Sequence, residues 1–274
     1  MTLEVLISTL GSRGMANVAK MQLPKLNGVS YLVSWQCEED DKIPSELTER
    51  TDVRILPHRS RGLSCNRNFA LDHASGDILL IADDDLRYTP EGLRKIITVF
   101  EENRQLELAT FRYDAENAKS YPAHECSLNG KLPKGYYVTS FEIALRRESP
   151  AGALRFPVEF GVGSPLFGAG EEEIVMLMAR KRGITCRFFP VTICRHEGLT
   201  TGSRRVTSPA VYRGFGAVIG YLYPATCLPR ILLKALRGSR NGTMSFFPAI
   251  YHMTAGLLRA ITQVKIQWRE ESAH

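Results

Sequence analysis

Residues 62–86 read GLSCNRNFALDHASGDILLIADDDL, and the fold is decided there. The order is loop, helix, apolar strand, then three adjacent carboxylates: Asp83, Asp84 and Asp85. Ser64 is placed to cap the helix at its start, and Gly76, after Ala74 and Ser75, to end it. The run 77–82, DILLIA, is almost wholly apolar, as expected of a strand buried on both faces of a parallel sheet. Such a strand cannot hide three acids. They must emerge where it ends, at the carboxyl edge of the sheet, where open α/β folds bind ligands. Adjacent carboxylates repel one another and disfavour full ionisation unless a cation compensates them.

The flanks extend the same alternation. Upstream, Leu3–Thr9 predicts a first strand, followed by a Gly/Ser/Arg turn and a helix over 16–26. Val29–Gln36 and Val53–Leu56 predict two more strands. Downstream, Thr89-Pro90 opens a helix whose Leu93, Ile96, Ile97 and Phe100 share one face. Leu108–Tyr113 predicts a strand, 114–135 a long polar loop, 136–146 an extended run or strand pair, and 156–170 a glycine-rich loop. Glu171–Arg182 predicts a helix with acids in its first turn, bases in its last and Gly183 past its end. Arg187–Val191 is a further short strand. The fold class expected is α/β, a Rossmann-like, mostly parallel sheet flanked by helices.

A chain of 274 residues can bury a full core of this kind. Six scattered cysteines (37, 65, 126, 186, 194, 227) form no C-x-x-C pair, so neither a disulfide framework nor a zinc site is expected. The first residues, MTLEVLISTLG, lack the basic region and length of a signal peptide. A cytoplasmic location is the simplest expectation. No recognised nucleic-acid module appears, and nucleic acid is not an expected partner.

The net charge of +6 is unevenly placed. From Leu199 onward ten Lys/Arg face two Asp/Glu, a balance of +8 that leaves −2 for the rest. Bulky apolar residues accompany these bases. Pro224, Pro229 and Pro248 interrupt or end the two longest uncharged stretches, which fall short of a membrane span. The organisation expected is an α/β domain over 1–200 and a basic, amphipathic helical region over 201–274. An anionic membrane surface, reached at the inner face of the cell membrane, is its expected partner. The plainer alternative is a helical stripe packed on the body with its bases solvated.

The segment 62–86 resembles the family-2 glycosyltransferases of the GT-A fold. Their pattern is a G-x-S-x-x-R-N loop and helix, an apolar strand and a DXD-type acid cluster. It stands here as Gly62, Ser64, Arg67 and Asn68, then Asp83 to Asp85. The resemblance implies a GT-A catalytic domain that takes a nucleotide-sugar donor, UDP-sugar favoured, with Mn²⁺ or Mg²⁺ as cofactor. The acceptor implied is a glycan or lipid-linked glycan in surface polysaccharide synthesis. By the same resemblance Asp83 lies near the ribose, Asp84 supports its neighbours and Asp85 ligates the metal. Thr9 and Gln36, at the ends of the first two strands, belong to the donor pocket. Gln36 stands where many members carry an acid. Arg61 and Arg67 approach the phosphates, although Arg67 is equally suited to a salt bridge with the acid triplet.

A second segment, GAGEEEIVMLMARKRG at 168–183, follows the triplet by about 90 residues. It resembles the family's G-E-D/E motif, whose second acid is the general base of an inverting transfer. Glu172 is that acid here and Glu171 the next candidate. Taken alone, the segment is also a good helix start. By the same resemblance His196, in CRHEG, is a candidate further metal ligand, although a lone His is more often structural or solvated. Arg204 and Arg205 sit in a Gly/Ser/Thr-rich loop suited to closing over a diphosphate. Two rivals remain open. A nucleotidyltransferase would carry a Gly-rich, Lys-containing loop after the first strand, which LGSRG only partly imitates. A non-catalytic membrane-binding protein with a degenerate transferase fold would have no need of the full set Asp83, Asp85 and Glu172.

Overall fold

The computed structural model describes residues 1–116, 119–130, 132–196, 207–264 and 266. It comprises two units. One is formed by Met1–Arg61, Cys65–Arg155 and Met178–Gly198, the other by Gly62–Ser64, Phe156–Leu177 and Leu199–His274.

The sheet unit grows from the apolar runs. Strands β1 (Leu3–Leu10), β2 (Val29–Gln36), β3 (Val53–His58) and β4 (Ile78–Asp83) pair in parallel in the order β3-β2-β1-β4. Helices α1 (Gly11–Lys20), α2 (Ser45–Thr48) and α3 (Leu63–His73) connect them. After β4 come β5 (Leu86–Tyr88), α4 (Pro90–Glu102), β6 (Leu108–Asp114), β7 (Cys126–Ser127), β8 (Ile143–Arg146), α5 (Glu171–Lys181) and β9 (Cys186–His196). The sheet continues β4-β8-β6-β9-β5, with β7 also on β9. β8 runs antiparallel to both β4 and β6, whereas β6 and β9 are parallel. Ile7, Tyr31, Val33, Leu80, Phe100 and Phe111 lie in the core on this sheet.

The connections place the ligand edge. The chain leaves β1 for β2 and β3 on one side, then returns to β4 on the other. A crevice opens outside the carboxyl ends of the strands at such a reversal. Register aligns these ends: Ser8 lies opposite Asp83, Leu10 opposite Gln36, and Gln36 opposite His58.

Several local expectations are corrected. α1 starts at Gly11, not residue 16, because Gly11 takes φ +62° and turns the strand directly into the helix. It stops at Lys20, before Gln22 in the left-handed region and Pro24. Ser64 is inside the first turn of α3 rather than at its cap, and its hydroxyl donates to the Phe160 carbonyl at 2.7 Å. α3 already ends at His73, so Gly76 is no helix stop. A Cβ on Gly76 would sit 2.7 Å from Glu4 Cβ, and its N–H bonds the buried Glu4 carboxylate at 3.0 Å. The 136–146 run is a short 3₁₀ turn, Ser140–Glu142, leading into β8, and β9 runs on to His196.

The helical unit includes α6 (Pro209–Leu222), α7 (Cys227–Arg240) and α8 (Phe246–Gln263). Ser208 caps α6, with Pro209 at its first position. Glycines let α6 and α8 cross closely: a Cβ on Gly216 would lie 1.8 Å from the Met253 carbonyl oxygen, and one on Gly256 2.0 Å from that of Arg213. Tyr212, Ile231, Ala235, Ala249, Met253 and Leu257 form their shared core. No single helix among the described residues is long and apolar enough to cross a membrane.

Candidate active site

The acid triplet occupies the end of β4 and the turn into β5. Asp83 is the last residue of β4 and accepts from Arg67 Nη2 at 3.0 Å. Arg67 reaches it from α3 with only 2% of its side chain exposed. Of the two roles expected for Arg67, the structure displays the salt bridge. Asp84 turns back toward β1 and accepts from the Thr9 hydroxyl at 2.5 Å. Burial pushes its carboxyl up to about 6, reinforced by the charges of Asp85 and Asp83 and opposed by bonds from Thr9 and Asn17.

Sequence reading passed over Gly14, on α1. A Cβ there would lie 2.2 Å from Thr9 Oγ1 and 2.8 Å from Asp84 Oδ2. Only glycine lets α1 pack over the Thr9–Asp84 bond. The signal was present as a small residue on the buried face of an amphipathic helix.

Asp85 is treated differently. Its Oδ2 lies 3.3 Å from His196 Nε2. Its Oδ1 is buried and has no hydrogen-bond partner among the described residues. The pairing arises because β5 and β9 are antiparallel, with Leu86 opposite His196. The imidazole is buried, stacked on Phe141 at 5.8 Å and edge-on to Tyr113 at 6.5 Å.

Among the described residues, no three His, Cys, Asp or Glu side chains form a ready-made metal cage. The donor set nevertheless suits a divalent cation. A carboxylate with an unused buried oxygen stands beside an imidazole, and a bound ligand's own oxygens and water complete such sites.

At the other side of β1, the strand ends hold a polar network. Gln36 is buried, and its Nε2 donates to Ser60 Oγ at 3.1 Å. Ser60 Oγ lies 3.0 Å from His58 Nδ1. The other ring nitrogen of His58 contacts Ser34 Oγ at 3.0 Å and Asn66 Oδ1 at 3.1 Å. Burial lowers the His58 pKa, which favours the neutral ring. His58 was not foreseen: nothing in its neighbours marks it, and the register with Gln36 alone brings the two together. Arg61 is exposed, just before Gly62 with φ +92°.

In the helical unit, Glu171 and Glu172 open α5 after Gly170, which has φ +109°. Glu171 is buried and Glu172 half-buried. Arg204 and Arg205 lie outside the described residues.

Residues 38–159 match the model of glycosyl transferase family 2. Over these residues the chain is similar to the family-2 glycosyltransferases. The architecture agrees, since the GT-A domain has solved counterparts. The 1–349 portion of S. aureus TarS superposes with a TM-score of 0.57 at 13% identity, over 97% of this chain and 93% of that one. A longer TarS structure gives 0.55 at 17% identity, over 80% of this chain and 40% of that one. The mannosyltransferase PcManGT of Pyrobaculum calidifontis, in complex with GDP-Man and Mn²⁺, gives 0.55 at 14% identity, over 97% and 76%. The chain thus spans about 40% of the longer TarS chain. At these identities the likeness is one of fold. No curated protein sequence matches the chain.

Proposed function

We propose that this domain moves one sugar from a nucleotide-diphosphate donor, UDP-sugar favoured, to a hydroxyl of a glycan or lipid-linked glycan, inverting the anomeric centre. One observation carries the reading. At the topological switch point Asp83 and Asp84 are held from within by Arg67 and Thr9, while Asp85 keeps a buried, unused oxygen beside His196. Further support comes from the bound states of fold relatives: S. aureus TarS with UDP and with UDP-GlcNAc, and PcManGT with GDP-Man and Mn²⁺.

In this reading Asp85 and His196 hold a divalent cation, Mn²⁺ or Mg²⁺. When bound, it supplies charge neutralisation to the departing diphosphate. Arg67 fixes the Asp83 carboxylate for the donor ribose. Thr9 and Gly14 keep Asp84 turned inward, away from the donor. Gln36, at the end of β2, offers its amide to the base edge, and His58 holds the polar network behind it. Glu172 takes the proton of the acceptor hydroxyl. The acceptor oxygen bonds the anomeric carbon as the bond from that carbon to the diphosphate breaks. Glu172 is favoured over Glu171 because it is the less buried of the two. Six free thiols fit a reducing, cytoplasmic compartment.

The test is a panel of nucleotide sugars with Mn²⁺ or Mg²⁺, read by turnover and by NMR of the product. One UDP- or GDP-sugar should be consumed with an inverted product. Glu172→Gln should lower kcat by roughly 10²-fold or more at unchanged donor affinity. A retained configuration, or no response to any nucleotide sugar, overturns the reading.

A further inference from the structure

The helical unit keeps large apolar side chains where solvent reaches them. On α7, Leu228, Leu232, Leu233 and Leu236 are between 39% and 63% exposed. Leu228, Leu232 and Leu236 recur every fourth residue and form one stripe, with Leu233 beside it. The face that packs inward presents Ile231, Ala235 and Gly238, with Cys227 and Lys234 at its margin. A helix that docks on its own protein body turns its leucines inward; α7 does the reverse. On α8, Phe247, Tyr251, Leu258 and Ile261 are between 57% and 80% exposed. Their spacings of four, seven and three residues again trace one stripe.

Charge narrows the choice of occupant. From Thr207 to Val264 there is no Asp or Glu, against six Lys and Arg. Arg230, Arg237 and Arg240 of α7 are exposed. Lys234 is not available with them: it is largely buried, its Nζ sits 3.8 Å from the centre of the Phe215 ring, and burial lowers its pKa. An exposed apolar patch of this extent marks an interaction surface. A second copy meeting through α7 would set these arginines against one another, with no acid on α7 or α8 to pair them. An anionic lipid headgroup layer pairs with them directly, and the leucines between them fit the acyl boundary beneath.

We propose that the exposed face of α7, assisted by the stripe on α8, docks on the surface of an anionic lipid bilayer, with Leu228, Leu232 and Leu236 in the acyl boundary and Arg230, Arg237 and Arg240 among the headgroups. The helix lies in the interface and does not span it. This docking stands independently of the sugar-transfer reading.

The full chain is mixed with vesicles of phosphatidylcholine alone or of phosphatidylcholine with phosphatidylglycerol, and the bound fraction is read by sedimentation. Binding should require phosphatidylglycerol and weaken as salt rises. Replacing Arg230, Arg237 and Arg240 together by Gln should lower vesicle affinity about 10²-fold, roughly fivefold for each arginine. The pair Leu232→Ser and Leu236→Ser should also release the protein while leaving its unfolding midpoint in place, since neither side chain packs in the core. Donor binding, measured on the same samples, separates failure here from failure of the transferase reading. No sedimentation with either vesicle, equal sedimentation with both, or a stable dimer in solution that the leucine pair dissolves would overturn the proposal. The dimer would assign the face to a second copy.

Discussion

Arg67 and Leu232 stand at opposite ends of one comparison. Arg67 carries a full charge and is 2% exposed; Leu232 carries none and is 46% exposed. The sheet unit buries polar groups at the carboxyl ends of its strands and gives them partners: Arg67 with Asp83, Thr9 with Asp84, Gln36 with Ser60. The helical unit does the opposite and leaves leucines and aromatics outside. Both arrangements cost folding stability when the unit is considered alone. A polar network at a strand edge makes sense when a polar ligand is bound there, and an exposed leucine stripe when an apolar partner covers it. Under the two proposals, each unit is shaped for something outside the chain.

The largest effect should come from breaking the buried pair. Arg67→Met keeps the volume but leaves Asp83 without its guanidinium. About 3 kcal/mol of stability should be lost, the lower end for a broken buried pair because Asp83 is partly exposed. Urea unfolding measures it, and a loss below about 1 kcal/mol would mean that Asp83 is satisfied without Arg67.

A smaller effect concerns His58. Its pKa in the folded chain is lowered from the ordinary 6.5, chiefly by burial. Below about pH 6.5 the unfolded chain takes up a proton that the folded ring resists. The stability this ring contributes is therefore fully present above that pH and is lost as pH falls through the folded value. Denaturation curves on either side of pH 6.5 should show the loss in the wild type and less of it in His58→Gln. Identical pH profiles would mean that the ring titrates as in water.

The smallest effect belongs to the helical surface. Leu232→Ser should change stability by less than about 0.5 kcal/mol. Leu80→Ala, in the core of β4, should cost about 3 kcal/mol. Thermal unfolding of the two variants compares the units directly. A large loss at Leu232 would mean that α7 uses its leucines internally.

Much of this contrast was legible in the sequence. The bounds of β2 match the apolar run Val29–Gln36, and Asp83 ends β4 as a buried strand followed by acids requires. Thr89 and Pro90 opened α4 where their capping chemistry placed them. Other features depend on distant partners. Ser64 reads as a cap until the Phe160 carbonyl, 96 residues away, is seen to accept its hydroxyl. β8 has too short an apolar run to announce that it pairs antiparallel with two strands. The candidate status of His196 came from the family resemblance, but its place beside Asp85 follows only from the β5–β9 register. α7 and α8 read as amphipathic, yet apolar residues occupy both faces, and periodicity alone cannot tell which face turns inward.

The central claim is that Asp85 completes a metal-dependent donor site. Isothermal calorimetry of the wild type and of Asp85→Ala, with a responsive nucleotide sugar in the presence and absence of Mn²⁺, tests it most directly. The wild type should bind donor far more tightly with Mn²⁺, and Asp85→Ala should lose that gain by roughly 10²-fold or more. Donor affinity that ignores Mn²⁺ in the wild type and is unchanged by Asp85→Ala would contradict the account.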